Sequence, residues 1–264
     1  VVRLEERFHV DFDESALVAG TTVADLRALV ESAGHGAADL PDPTWARTPL
    51  ARGAREALQA LLSLLLAPVV RLSVTGRENL DGVVRPVLFV ANHTSHLDSP
   101  TLLRALPPRL RRSTAVAAAA DYFFGVEAPA GESHPSLRFI APLLLNAFPF
   151  SRKRAVRRSL ELLGGILDDG WGVVLYPEGT RSTTGETAAF KPGIGLIAIE
   201  MGVPVVPVHL GGLAGILPKG RAVPSPGRAT VVFGPPLSLS GTEDPSEAAA
   251  RIEERVRLLA GWTP

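Results

Sequence analysis

Short apolar runs alternate with amphipathic segments along most of the chain. Continuous apolar runs predict strands near residues 69–74, 87–91, 114–119, 172–176, 204–209 and 229–233. Apolar residues at helical spacing predict helices over residues 51–66, 98–106, 154–169, 193–201 and 245–260. Strands that alternate with helices favour a mainly parallel or mixed sheet covered by helices, so we predict an α/β fold. In such folds, functional residues lie in the loops that leave the carboxyl ends of the strands.

The first 50 residues follow a different pattern. Within residues 1–34, Thr22 is placed to cap a helix, and Val23, Leu26 and Val30 follow helical spacing. The next stretch is rich in Gly, Ala and Pro, which is typical of a linker. We therefore predict three parts, namely a small helical segment over residues 1–34, a linker over residues 35–50 and the main domain over residues 51–264.

Composition narrows the classes of function. The 264 residues contain 27 basic and 27 acidic side chains, and this neutrality gives no electrostatic reason to expect a nucleic-acid partner. There is no cysteine, which excludes disulfides, thiolate metal sites and a cysteine nucleophile. The histidines show no ligand spacing, so we predict no metal. The first residues show no basic segment followed by an apolar core, so we expect no secretory signal, and the apolar runs are shorter than the roughly 20 residues that span a bilayer.

A polar cluster, residues 92–98 (Asn-His-Thr-Ser-His-Leu-Asp), comes directly after an apolar strand and just before a helix. Residues five apart on one helix point about 140° away from each other. His93 therefore reaches Asp98 only from the preceding loop, where Asp98 in the first helical turn can fix the tautomer of His93 and leave its other nitrogen as a general base. The alternatives are a helix cap without catalytic function, or His96 as the base.

A second polar cluster, residues 176–182 (Tyr-Pro-Glu-Gly-Thr-Arg-Ser), follows another predicted strand. Gly179 permits close backbone approach, while Thr180 and Arg181 supply donors suited to a phosphate. Alone, the cluster is equally consistent with an ordinary turn in which Glu178 and Arg181 form a surface ion pair. Residues 92–98 and 176–182 are called the first and the second motif below.

The two motifs together resemble the lysophosphatidate and glycerol-phosphate acyltransferases, a glycerolipid acyltransferase family. The resemblance extends over about residues 72–236, because residues 148–152 (Phe-Pro-Phe-Ser-Arg) and residues 203–208 (Val-Pro-Val-Val-Pro-Val) look like two further blocks of that family. Tyr176 stands where the family usually has Phe.

The resemblance implies an O-acyltransferase of phospholipid biosynthesis. It would move a fatty acyl group from acyl-CoA or an acyl-carrier protein to a hydroxyl of lysophosphatidate, glycerol phosphate or a related lysophospholipid, without a bound cofactor. His93 would deprotonate that hydroxyl and Asp98 would orient His93, with no acyl-enzyme. The residues implied for substrate binding are Arg152, Glu178, Gly179, Thr180, Arg181 and Lys191.

The N-terminal segment resembles the second half of an acyl carrier domain, in residues 1–11 and 21–26. The sequence begins with Val1 rather than Met, so we expect it to be a fragment of a longer chain in which a carrier domain is fused to the acyltransferase or interacts with it. The alternative is a generic helical extension.

Three apolar segments, residues 61–70, 115–124 and 139–150, lead us to expect a cytoplasmic protein that associates peripherally with a membrane. Two other functions stay open. One is a serine hydrolase or thioesterase that uses Ser95 or Ser99, which the lack of a Gly-x-Ser-x-Gly motif disfavours. The other is a catalytically idle lipid-binding domain.

Overall fold

A computed structural model of the chain describes residues 40–126, 136–151, 155–182, 185, 187–239 and 244–261. The strands are β1 (Val70–Thr75), β2 (Val87–Ala91), β3 (Thr114–Ala119), β4 (Ala147–Phe150), β5 (Gly172–Leu175), β6 (Val205–Gly211) and β7 (Gly227–Phe233). The helices are α1 (Pro49–Leu66), α2 (Asp98–Ala105), α3 (Pro108–Arg111), α4 (Ala120–Phe124), α5 (Leu137–Leu145), α6 (Val156–Asp168), α7 (Gly193–Met201), α8 (Leu213–Ile216) and α9 (Pro245–Leu258).

Within the described residues the strands form one mixed sheet of seven, in the order β1-β7-β6-β2-β5-β3-β4. Neighbouring strands are parallel except β6 and β7, which are antiparallel. The predicted α/β class is confirmed. β2 lies at the centre of the sheet and is buried along its whole length. Its neighbour β5 pairs with it so that Val90 faces Leu175, and the two motifs therefore leave the sheet side by side.

Alternate residues of β2 serve two hydrophobic cores because successive side chains of a strand point to opposite faces. Phe89 packs in the core beneath α2, together with Leu102 and Leu103. Leu88 and Val90 pack in the core on the other face, beneath α6, α7 and α9. Helices thus cover both faces of the sheet, which is typical of a sheet in which most strand pairs are parallel.

Several elements differ from the sequence prediction. The short helices α3, α4 and α8, together with α5 and β4, were not predicted. β4 has four residues and contains Pro149, and α5 contains Pro142, so neither displays the pattern typical of its class. Within the part of the predicted linker that the structure describes, residues 40–50, Leu40 and Ala46 are buried and α1 begins at Pro49, two residues before its predicted start. The predicted helical segment over residues 1–34 lies outside the described residues.

Arg55 fixes α1 to the rest of the domain. Its buried guanidinium donates to the backbone carbonyls of Ala46, Pro142 and Leu143 and to the side-chain oxygen of Asn146. These acceptors include the last carbonyls of α5, where the negative end of the helix dipole favours a cation. Burial lowers the pKa of Arg55 to about 10, so it remains charged at neutral pH.

Candidate active site

The first motif forms a loop that is anchored on both sides at the carboxyl edge of the sheet. The buried Asn92 side chain donates to the backbone carbonyl of Leu210 at 2.9 Å and accepts the Leu210 N–H at 2.7 Å. This pair of bonds fixes the end of β2 to β6. The residue after it, His93, therefore leaves the sheet in a defined direction, with its side chain partly exposed.

Asp98 organises the loop from the first turn of α2. One of its oxygens, Oδ2, accepts hydrogen bonds from the Nδ1–H of His93 at 2.8 Å and from the backbone N–H groups of Thr94 at 2.6 Å and Ser95 at 2.9 Å. The Asp98 side chain is completely buried. Because the His93 Nδ1–H faces this carboxylate, the other ring nitrogen, Nε2, carries the free lone pair of a general base. The contact expected from the spacing is thus present, while the catalytic roles stay predictions.

Tyr176 supports the imidazole of His93 from the second motif. The two rings are stacked, with centroids 4.3 Å apart and planes inclined by 21°. The Tyr176 hydroxyl lies 2.9 Å from the Ser99 hydroxyl. Burial, followed by the negative charge of Asp98, raises the pKa of Tyr176, so the phenol stays neutral. Sequence reasoning missed this contact; its only signal was a tyrosine where the family usually has phenylalanine.

The second motif also holds the backbone of His93. Glu178 is buried, and its Oε1 accepts the His93 N–H at 2.8 Å while its Oε2 accepts the Ala188 N–H at 3.2 Å. The Ser182 N–H donates to the His93 carbonyl at 2.8 Å. Burial raises the pKa of Glu178, and the amide hydrogen bonds oppose this shift. The carboxylate therefore binds protein backbone rather than Arg181, so the alternative of a surface ion pair between them is wrong.

Arg181 and His96 lie close to each other and to His93 and Asp98. Arg181 is half-buried, and its Nη1 is buried without a hydrogen-bond partner among the described residues. Desolvation, followed by the positive charges of Arg181 and His93, lowers the pKa of His96 to about 4. The His96 ring stacks on Tyr122, with centroids 5.8 Å apart. His96 is therefore neutral at physiological pH, but among the described residues no carboxylate is bonded to it as Asp98 is to His93.

The other predicted binding residues differ in their positions. Gly179 has φ 77° and is half-buried in the turn of the second motif, whereas the neighbouring Thr180 is exposed. The exposed Lys191 is attached to the same motif by its backbone N–H, which donates to the Pro177 carbonyl at 3.1 Å. Arg152 lies outside the described residues. Four of the predicted binding residues therefore lie together in one turn, namely Glu178, Gly179, Thr180 and Arg181. The backbone of Lys191 is attached to this turn, but its side chain is exposed.

Comparison with known proteins decides the family. The family model described as Acyltransferase matches residues 71–211, which include both motifs. The chain belongs to this acyltransferase family. It is 31% identical, over 198 residues, to a chloroplastic 1-acyl-sn-glycerol-3-phosphate acyltransferase of Arabidopsis thaliana, a match that covers 74% of this chain and 52% of the relative. It is 28% identical over 180 residues to the mouse 1-acyl-sn-glycerol-3-phosphate acyltransferase alpha, covering 65% of this chain and 56% of that one.

A solved structure supports the same assignment. The 1-acyl-sn-glycerophosphate acyltransferase PlsC from Thermotoga maritima superposes with a TM-score of 0.60 at 25% identity, and the match covers 85% of this chain and 84% of that one. The mixed sheet with flanking helices is thus the fold of that acyltransferase. The chain spans about half the length of the curated relatives it matches, at 52% of the Arabidopsis protein.

Proposed function

We propose that the chain transfers a fatty acyl group from a thioester to the hydroxyl of lysophosphatidate. The observation that carries this proposal is the His93–Asp98 hydrogen bond of 2.8 Å, which leaves the Nε2 of a partly exposed imidazole free at the end of the central strand. It is supported by the names of the relatives, which are 1-acyl-sn-glycerol-3-phosphate acyltransferases. Glycerol phosphate and other lysophospholipids are the further acceptors of the same chemistry.

The reaction needs one proton transfer in each direction. Nε2 of His93 takes the proton of the acceptor hydroxyl while the oxygen attacks the thioester carbonyl. The tetrahedral intermediate then collapses, the carbon–sulfur bond breaks, and the thiolate receives the proton from His93. The Asp98 carboxylate stabilises the imidazolium that exists between these steps. No covalent acyl-enzyme forms.

The acceptor phosphate binds at Arg181 in this proposal. Within the described residues, one buried guanidinium nitrogen of Arg181 has no hydrogen-bond partner, and such a nitrogen suits a phosphate oxygen. Gly179 and Thr180 border the same turn, and Lys191 adds positive charge at its edge. Arg152 and Glu178 were also predicted to bind the acceptor; for Glu178 the backbone hydrogen bonds favour a different role, described below.

The hydroxyls of Ser95, in the first motif, and of Ser99, directly after it, are already engaged in hydrogen bonds. The buried Ser95 hydroxyl donates to the Leu217 carbonyl at 2.7 Å, and the Ser99 hydroxyl bonds to Tyr176. Neither is paired with His93, which speaks against a serine nucleophile. Because an acyltransferase and a hydrolase both release thiol, the acceptor dependence of that release separates them.

The activity is tested by thiol release from a panel of donors and acceptors. We expect release from long-chain acyl-CoA or acyl-carrier protein only when lysophosphatidate, glycerol 3-phosphate or another lysophospholipid is added. The donor comparison also tests the predicted relation to an acyl carrier domain, which rests on residues outside the described part of the chain. Release that does not depend on an acceptor would indicate a hydrolase, and its absence with every donor would indicate an idle binding domain.

We also propose that the protein binds a membrane surface peripherally through α1 and α5. Leu61, Leu64 and Leu65 of α1 are 52%, 70% and 63% exposed, and Phe139 and Ile140 of α5 are 55% and 50% exposed. Exposed apolar side chains of this size on adjacent helices are typical of a membrane or protein interface. No helix in the described ranges combines the length and hydropathy needed to cross a bilayer.

Flotation with liposomes tests the membrane proposal. We expect the wild type to float and a variant with Leu61, Leu64 and Leu65 replaced by Ser to stay in the dense fraction. Replacing the exposed Val223 by Ser, at a loop remote from α1 in sequence, serves as the control. Equal flotation of all three proteins would contradict the proposed surface.

A further inference from the structure

We infer that Glu253, on the C-terminal helix α9, is a positioning residue for the catalytic loop, an inference that rests on the function proposed for His93. Glu253 lies outside residues 71–211, the part of the chain that the acyltransferase family model matches. It acts through a segment at residues 187–191, called the tethered segment, and through Glu178. Three successive contacts carry the inference.

The first contact joins α9 to the tethered segment. Oε2 of Glu253 accepts the backbone N–H of Phe190 at 2.7 Å. The other carboxylate oxygen, Oε1, is paired with Arg257 one turn later on the same helix at 2.8 Å, which orients the carboxylate. The Phe190 side chain is buried in the core beneath α6, α7 and α9. A charged acceptor thus fixes the backbone at the one residue of this segment whose side chain is buried.

The second contact joins the tethered segment to the second motif. The Ala188 N–H donates to Oε2 of Glu178 at 3.2 Å, and the Lys191 N–H donates to the Pro177 carbonyl at 3.1 Å. The segment is therefore held between two buried or half-buried carboxylates, one on α9 and one in the second motif. Loss of the bond to Glu253 removes the hydrogen bond that fixes the backbone of the segment to α9, and only the packing of the Phe190 side chain remains on that side.

The third contact reaches the catalytic residue. Oε1 of Glu178 accepts the His93 N–H at 2.8 Å. Because one carboxylate binds both the tethered segment and the His93 backbone, a displacement of the segment rotates or shifts Glu178 and changes its bond to His93. Glu178 is a positioning residue by the same geometry, since both of its oxygens bind backbone amides.

α9, which carries Glu253, packs closely against α7. A Cβ atom on Gly195 of α7 would lie 1.9 Å from the Pro245 carbonyl oxygen at the start of α9. Such close contact requires glycine, because any side chain at this position would clash with the backbone of α9. α7 begins directly after the tethered segment, at Gly193. The segment thus lies between the closely packed pair α7 and α9 and the second motif.

The test compares hydrogen exchange and kinetics in the full chain. Glu253→Ala removes the acceptor, and we expect amide exchange in residues 187–191 and in residues 92–98 to become about fivefold faster. We expect kcat to fall by roughly 3- to 10-fold while KM for both substrates stays within about twofold of the wild type, because small displacements of a base slow the chemical step and not binding.

Two further variants make the result specific. In Glu253→Gln the amide oxygen still accepts the Phe190 N–H, so kcat and exchange return to within about twofold of the wild type. Glu254→Ala changes the exposed neighbouring carboxylate and leaves both readouts at wild-type values. If Glu253→Ala does not fold, Glu253→Asp replaces it, because the shorter side chain withdraws the acceptor and keeps the charge.

Faster exchange confined to residues 187–191, with residues 92–98 unchanged, would overturn the inference, as would a rise in KM with unchanged kcat. The exchange measurement does not require turnover. If no donor and acceptor give activity, the proposed function fails, while the exchange of residues 92–98 still decides whether Glu253 positions the loop.

Discussion

Replacement of Asp98 by Asn tests the proposed catalytic pair, His93 and Asp98, with the smallest change in shape. The side chain is completely buried, and its Oδ2 accepts bonds from His93 and from two backbone amides. In the variant the amide oxygen must occupy the Oδ2 position, because an NH₂ group cannot accept from these donors. His93 keeps its tautomer, and the variant loses mainly the negative charge.

The size of the effect follows from the loss of that charge. The imidazolium and carboxylate centres lie about 4 Å apart, which at an effective dielectric constant of about 20 corresponds to about 4 kcal/mol. Since about 1.4 kcal/mol corresponds to a tenfold change in rate, complete loss of this attraction would lower kcat roughly 10³-fold. The amide dipole retains part of the interaction, so we expect kcat to fall by roughly 10²- to 10³-fold.

The stability of the same variant should decrease as well. The new NH₂ group occupies the position of Oδ1, which is buried and has no hydrogen-bond partner among the described residues. A buried donor without an acceptor costs about 1–3 kcal/mol. For a chain of this size we expect Tm to fall by roughly 3–10 °C.

The assay is steady-state thiol release with saturating acceptor, beside a thermal melt. Asp81→Asn provides the control, because Asp81 is exposed and lies away from the first motif in sequence. A kcat within about threefold of the wild type in folded Asp98→Asn would refute the role of the carboxylate charge in stabilising the imidazolium.

Three further predictions concern the scaffold. Arg55→Ala leaves buried carbonyl oxygens unpaired and should lower the free energy of unfolding in urea by about 3 kcal/mol, with Arg52→Ala as the control; a loss below about 1 kcal/mol would contradict it. Gly195→Ala should cost about 2 kcal/mol by separating α7 from α9, whereas Gly53→Ala, where a Cβ meets nothing within 4 Å, should not destabilise. In an alkaline titration of tyrosinate absorbance, the pKa of Tyr176 should lie well above the ordinary tyrosine value of about 10. Because the phenol of the unfolded chain ionises first, the contribution of Tyr176 to stability falls as the pH rises above about 10. In Tyr122→Phe, where Tyr176 is the remaining tyrosine, an absorbance change at the ordinary pKa would contradict this.

The sequence was sufficient where the signal is local. β2, β3 and α7 have the predicted bounds because turn residues delimit their apolar runs. The His93–Asp98 contact was predictable because both residues belong to one loop–helix junction, separated by five positions. This part of the site follows from spacing alone.

Contacts between distant parts of the chain were not predictable in this way. Glu178 binds the backbone of His93, 85 residues away, and Glu253 binds Phe190, 63 residues away. Such bonds depend on the order of the strands and on how α9 packs, neither of which leaves a pattern in the residues themselves. β4 was not predictable either, because its four residues are too few to show the alternating pattern of a strand.

The most direct test of the account measures the acylated product itself. Phosphatidic acid formed from lysophosphatidate and a long-chain acyl-CoA is quantified by mass spectrometry for the wild type, His93→Ala and His96→Ala. We predict that His93→Ala reduces product to the uncatalysed background and that His96→Ala retains at least about a tenth of the wild-type rate. Product formation by folded His93→Ala at a rate near the wild type, or its loss in His96→Ala alone, would contradict the assignment of His93 as the base.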